Sequence, residues 1–142
     1  MSGPELLAQE AQRWLRFATE DLDAAQRMLA DRSSAPRHVC WHAQQAAERA
    51  LKAALVLEGI DFPFTHDLNA LRNLLPASWT VRVEHVDMAE LTEWAVQARY
   101  PGEWPEPSAA DAVRAESKAR AVRDAVAAGF RHRGLRADGD AQ

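Results

Sequence analysis

The segment from His42 to Leu55 carries the polar side chains with the clearest chemical potential in this chain. With about 3.6 residues per helical turn, Gln45, Glu48 and Lys52 fall within one narrow arc of a helix. One interpretation is a solvated face on which Glu48 and Lys52 form an i,i+4 pair worth about 0.2–0.5 kcal/mol. The other is a polar strip that faces a partner chain or a ligand.

Gln44 lies on the apolar side of the same segment, near Leu51 and Leu55. Burying its amide without partners would cost about 1–3 kcal/mol, so this glutamine needs hydrogen-bonding groups nearby. A further apolar arc, roughly opposite the polar one, gives the helix a core face: Val39, Ala43, Ala46, Ala50, Ala54 and Leu57. Because the apolar surface is too wide for one neighbouring helix, the segment also predicts a two-fold homodimer.

His66 and Asp67 form a second polar pair, at the start of a short predicted helix. Asp67 favours the macrodipole there, and His66 either belongs to the same helix start or hydrogen-bonds across to the long helices. His38 and His42 have the i,i+4 spacing of a chelating pair, but no further ligand is suitably spaced around them. We therefore predict no metal site and no cofactor.

Arg99 and Tyr100 end a predicted helix directly before Pro101. They can serve as a helix-terminal cation and an aromatic side chain that packs the loop. Alternatively, they can contact a phosphate and a nucleobase by charge and by stacking. With the residues above, the candidate ligand-binding set is Gln45, Glu48, Lys52, His66, Arg99 and Tyr100.

Helices must position these residues, because apolar residues recur with a helical period along the chain. The sequence predicts an all-α fold, a single up-and-down bundle of about five helices over residues 1–130. A polar, disordered tail is expected over residues 131–142. The alternating piece Trp79–Val83 has no second strand to pair with, so we expect an extended loop there. The predicted helices cover Glu5–Ala30, Pro36–Glu58, Asp67–Leu75 (capped by Thr65), Glu84–Ala98 and the segment from the Ser108 cap to Gly129.

Composition limits the class of protein. The 142 residues are 47% hydrophobic and 27% charged, which suits one globular domain. The net charge of −4 argues against a surface that is basic throughout, although it allows a local basic site. The single cysteine allows no internal disulfide, and no segment reads as a membrane span or a signal peptide. We expect a soluble cytoplasmic protein that does not bind membranes.

Four sequence segments, taken in order, resemble those of one known family. They are ATEDLDAA at 18–25, WHAQQAAERALKAALVLEG at 41–59, THDLNALRNLL at 65–75 and ARYPGEW at 98–104. Together they resemble the HEPN family, the nucleotide-binding domains of higher eukaryotes and prokaryotes. The resemblance implies a helical bundle, often a homodimer and often encoded beside a small nucleotidyltransferase. Many members are ribonucleases or toxins, and others are non-catalytic partners.

The ribonuclease members carry an arginine and a histidine separated by four to six residues, near the start of a late helix. The imidazole can move the proton of a ribose 2′-hydroxyl while the guanidinium holds the phosphate. Here Arg99 stands at the corresponding place, but no histidine follows it, and Trp104 occupies the region where one could stand. We therefore expect no catalytic residues.

The resemblance and this departure together predict a nucleotide- or RNA-associated protein, non-catalytic or weakly catalytic. Its expected partners are a second copy and a nucleotidyltransferase, in a toxin–antitoxin-like module. The alternatives are an active ribonuclease toxin and a pure protein-interaction module without a ligand.

Overall fold

The computed structural model describes residues 2–84, 87–99 and 105–137, and for residues 95–99 it describes the backbone alone. Within these ranges the secondary structure is entirely helical, which confirms the predicted fold class. None of the described helices is both long enough and apolar enough to cross a membrane. The helices are α1 (Gly3–Ala30), α2 (Pro36–Leu57), α3 (Leu68–Asn73), α4 (Thr80–Glu84), α5 (Ala89–Arg99) and α6 (Ala109–His132).

Helix α2 is the central helix, because α1, α3, α5 and α6 all pack against it. Twelve of its 22 residues are buried, including all of its alanines, whose small side chains let neighbouring helices approach closely. The wide apolar surface of α2 is therefore covered within one chain. This differs from the sequence-based argument that a second copy is needed to cover it.

Helix α1 packs against α2 through a stripe of alternating small and large residues. Ala11, Leu15, Ala18, Leu22 and Ala25 follow the three-and-four spacing of one helix face, and each is at most 1% exposed. The remaining faces of α1 carry polar side chains, exposed leucines near its start, and aromatic side chains. Two of them, at positions 14 and 17, adjoin the site described below.

Hydrogen bonds of side chains fix the starts of α3 and α6. Ser108 Oγ accepts from Asp111 N at 3.1 Å, and Asp111 Oδ2 accepts from Ser108 N at 2.8 Å, so the predicted capping box is present. In α3 the cap is Asp67, whose Oδ1 accepts from Ala70 N at 3.2 Å. Thr65, predicted as that cap, instead accepts from Asp67 N, so the helix begins later than predicted.

The segment Trp79–Val83 is not an extended loop, because Thr80–Glu84 form the short helix α4. Arg82 N donates to Trp79 O at 3.0 Å, as in a helical turn. A two-residue alternation over so few positions does not distinguish a strand from a helical turn. Without a partner strand, the turn satisfies backbone groups that a strand would leave unpaired. Helix α5 correspondingly begins only at Ala89.

The chain after α6 is ordered as far as residue 137, although the sequence predicted disorder from residue 131. Helix α6 continues to His132, Leu135 packs against the core, and Ala137 is 6% exposed. Gln12 Nε2 donates to the carbonyl oxygen of Arg136 at 3.1 Å, which ties this segment to α1. Residues 138–142 lie outside the described residues.

Candidate functional site

Glu48 is at the centre of a group of polar side chains, although only 5% of its surface is exposed. Its Oε1 accepts a hydrogen bond from Gln44 Nε2 at 3.0 Å and lies 2.7 Å from His66 Nδ1. Its Oε2 accepts from Lys52 Nζ at 3.0 Å. Gln45 Nε2 donates to Gln44 Oε1 at 2.9 Å. We call these five residues the Glu48 network.

Two elements position the Glu48 network. The i,i+4 spacing on α2 brings Gln44, Glu48 and Lys52 together on one side of the helix. His66 comes from the connector just before α3, whose start is fixed by Asp67. The interpretation in which His66 bonds across to a long helix therefore matches the structure. The buried Gln44 amide has the partners that its position in the apolar sector requires.

The ionisation of Glu48 follows from its neighbours. Burial alone would raise the pKa of Glu48, but hydrogen bonds from His66, Gln44 and Lys52 together hold it below its ordinary value of 4.5. Glu48 is thus a carboxylate at neutral pH and can only accept, so His66 Nδ1 carries the proton between them. A carboxylate of low pKa is a weak general base. The Glu48 network is therefore suited to holding groups in place rather than to moving protons.

Lys52 is fixed by two aromatic rings as well as by Glu48. Its Nζ lies 5.9 Å from the ring centroid of Trp14 and 5.4 Å from that of Phe62. The two rings meet edge to face, with centroids 6.3 Å apart. The Lys52 side chain is only 11% exposed. Its ammonium group is therefore positioned before any ligand arrives, which reduces the entropy lost on binding.

The Glu48 network reaches the surface at His66, whose side chain is 26% exposed. The ring of Phe64 lies edge-on to His66 with centroids 5.9 Å apart, and Phe64 is 95% exposed. An aromatic ring this exposed beside polar groups offers a face on which a flat ligand can stack.

Three aromatic residues beside the network were not predicted as part of the site. Trp14 follows the apolar spacing of α1, so its position in the sequence does not distinguish it from a core residue. Phe62 and Phe64 lie in an irregular connector, where no periodicity indicates what a side chain faces. Only the packing of the connector against α1 and α2 brings the rings together.

The structure brings together four of the six candidate residues: Gln45, Glu48, Lys52 and His66. Arg99 is the last residue of α5, but its side chain and the whole of Tyr100 lie outside the described residues. The membership of Arg99 and Tyr100 in the candidate ligand-binding set thus stays a prediction.

Two other kinds of chemistry find little support. Burial raises the pKa of the Cys40 thiol to about 12, so this group remains protonated and is a poor nucleophile at neutral pH. In the part of the chain that the structure describes, no three His, Cys, Asp or Glu side chains are grouped to hold a metal ion. An open cavity of about 600 Å³ between α5 and α6 is lined by Leu91, Trp94 and Lys118, among others, and by no residue of the Glu48 network.

Comparisons with known proteins agree with this architecture. No curated protein matches the chain significantly. The crystal structure of TT1696 from Thermus thermophilus is similar, with a TM-score of 0.70 and 29% sequence identity. The similarity covers 82% of this chain and 94% of that one. The HEPN domain family matches residues 11–129, which include α2 and the whole Glu48 network. The chain therefore belongs to the HEPN domain family.

Proposed function

We propose that this HEPN domain binds a nucleotide or RNA, is non-catalytic or weakly catalytic, and partners a small nucleotidyltransferase in a toxin–antitoxin-like module. The Glu48 network carries the proposal. It presents a fixed ammonium, an amide and an imidazole beside the exposed ring of Phe64. This combination of donors and a stacking surface suits a base that bears a phosphate.

The protonation states favour binding over cleavage. Glu48 is a carboxylate whose hydrogen bonds lower its pKa, so it does not compete well for a substrate proton at neutral pH. No histidine stands within the eight residues that follow Arg99. The nucleotidyltransferase partner and the toxin–antitoxin role rest on the resemblance to HEPN modules of that kind.

Calorimetric titration of the full chain with ATP, and with an oligouridylate of about ten nucleotides, tests the binding. We expect modest affinity that salt weakens. Arg99→Ala should weaken it by about 1–3 kcal/mol, the range for losing a charge-assisted contact. Lys52→Gln, with folding checked by circular dichroism, should weaken it for the same reason. Arg82→Ala, which removes a charge from α4, is the matched control and should have no effect.

The same preparation decides between the alternatives. Incubation with RNA should give little or no cleavage. Robust metal-independent cleavage that Arg99→Ala abolishes would instead identify an active ribonuclease. Absence of binding heat with both probes would favour a pure protein-interaction module.

A further inference from the structure

Three guanidinium groups surround the half-buried ring of Phe17 where α1 adjoins α2. The Cζ atoms of Arg13, Arg16 and Arg49 lie 5.9, 5.6 and 5.9 Å from its centroid. Arg13 and Arg16 belong to α1, whereas Arg49 reaches across from α2. Like charges repel, so a cluster of this kind is held together by contacts to the shared ring and to a carboxylate.

One of these arginines is neutralised and two are not. Arg49 Nη1 lies 2.8 Å from Asp21 Oδ2, and this ion pair is half-buried. Within the described residues, the exposed Arg13 and Arg16 form no ion pair, although Glu10 and Glu20 lie on the same helix at spacings of three and four. Two unneutralised cations therefore flank one aromatic ring in a chain whose net charge is −4.

This cluster continues into the candidate site. On α1, Trp14 is next to Arg13 in sequence, and its ring lies 5.9 Å from Lys52 Nζ. On α2, Lys52 follows Arg49 by one helical turn. Cations and aromatic rings thus alternate along the junction of α1 and α2. We call this surface the cation–aromatic strip, and its members are Arg13, Trp14, Arg16, Phe17, Arg49, Lys52 and Phe62.

We propose that the cation–aromatic strip binds single-stranded RNA, with Arg13 and Arg16 on the phosphates and a base stacked against Phe17 and its guanidinium groups. The inference rests on the proposed function and extends its site from the Glu48 network along α1. Alternating rings and cations match the alternating bases and phosphates of a single strand. An acidic peptide would use the cations but would have less use for the interleaved rings. A duplex hides the faces of its bases.

Fluorescence anisotropy with a fluorescein-labelled oligouridylate of about ten nucleotides, measured at several salt concentrations, tests the proposal. Replacing both arginines, Arg13→Ala with Arg16→Ala, should weaken binding at least about tenfold. It should also make the slope of log K against log salt shallower by about 1.4, since each phosphate contact on a single strand contributes about 0.7. Arg27→Ala with Arg32→Ala removes the same charge from exposed positions beyond the strip, and should leave the slope unchanged.

Stacking is tested separately from charge. Phe17→Ala should weaken binding about 5- to 150-fold with the salt slope unchanged, whereas Phe17→Tyr, which keeps a ring, should retain most of the affinity. Unfolding curves of both variants show whether the half-buried position tolerates the change. If Phe17→Ala is unfolded, the test relies on Phe17→Tyr and on the variant in which Arg13 and Arg16 are both replaced.

The outcomes separate this inference from the proposed function. Equal binding by wild type and the Arg13/Arg16 variant would overturn the strip while leaving RNA binding in place. Equal losses of affinity in that variant and in the Arg27/Arg32 control would also overturn it, because the loss would then come from the lower overall charge of the protein. A wild-type protein that binds neither the oligouridylate nor ATP would remove the proposed function itself. Binding of polyglutamate in place of RNA, lost in the Arg13/Arg16 variant, would assign the strip to an acidic protein partner and overturn the RNA proposal.

Discussion

Glu48 is a charged residue inside an alanine-rich helix. Its burial is possible because neighbouring side chains make hydrogen bonds to both oxygens of its carboxylate. Removing a carboxylate from water is costly unless hydrogen bonds replace the lost solvation. Gln44, His66 and Lys52 supply them, and Lys52 also balances the charge. The result is a mostly buried polar network, and part of the stability of the fold depends on its one ionised carboxylate.

Glu48→Gln should therefore lower the free energy of unfolding by about 2 kcal/mol at about pH 7, because it leaves Lys52 without a counter-charge. Since hydrogen bonds lower the pKa of Glu48 below 4.5 in the folded state, its contribution is complete above that value and is lost as the pH falls through the folded pKa. Urea unfolding of both proteins at about pH 7 and about pH 4 should show the difference shrinking in acid. Glu93→Gln, at an exposed position, is the control. A difference that is independent of pH would show that the ionisation of Glu48 does not stabilise the fold.

The contacts of single residues were predictable where both partners lie on the same helix. The helical period alone places Glu48 and Lys52 on a common face, and the apolar surroundings of Gln44 indicate that it needs partners. The contacts of Phe17 with Arg49 were not predictable, because they depend on how closely α1 and α2 approach and at which register. His66 lies between these cases: its spacing from α3 was clear, but the bond to Glu48 requires the connector to fold back onto α2.

At the scale of elements, helix interiors were predictable and short or irregular segments were not. Repeated apolar residues fix α1, α2 and α6, because many positions agree, and the Ser108 cap also fixes the start of α6. Helix α4 has five residues, too few for a period to appear. The order beyond His132 depends on contacts of Leu135 with the core and of Arg136 with α1, which the local polar composition does not reveal.

The junction of α4 with α6 depends on the absence of a side chain at Gly129. A Cβ atom there would lie 2.4 Å from Trp79 Cζ3. The indole has little room to move, because its Nε1 donates to Glu58 Oε1 at 2.7 Å and the guanidinium of Arg133 lies 3.8 Å from its ring. The helix must therefore present backbone alone at this contact.

Gly129→Ala should consequently lower the free energy of unfolding by about 1–3 kcal/mol, as expected when a filled core receives an extra methyl group. Gly3→Ala is the control, since a Cβ atom there has nothing within 4 Å, and it should change stability by less than about 0.5 kcal/mol. Thermal and urea unfolding report both effects. In a Trp79→Leu background the cost of Gly129→Ala should fall. A cost that stays the same would place its origin elsewhere than in the indole contact.

At the scale of the whole molecule, the chain combines a net charge of −4 with a local row of cations along the junction of α1 and α2. The overall charge gives no general attraction to nucleic acid, so any binding must come from the local arrangement. Most of the central helix α2 is buried in the core, and its Glu48 network reaches the surface at His66. Contacts with other molecules must therefore use the surface around His66 or the outer faces of the other helices.

Assembly is the remaining expectation at this scale, and HEPN domains commonly dimerise. The apolar surface of α2 is covered within the chain, so a dimer interface must use other apolar side chains. Exposed candidates exist at the start of α1, where Leu6 and Leu7 are 55% and 42% exposed, and on α6, where Val113 is 52% exposed. In a two-fold dimer both chains use the same surface, so each side chain in the interface contributes twice. We expect sedimentation equilibrium at micromolar concentration to give about twice the chain mass of 15.8 kDa. A mass equal to that of one chain at every concentration would show that this HEPN domain acts as a monomer.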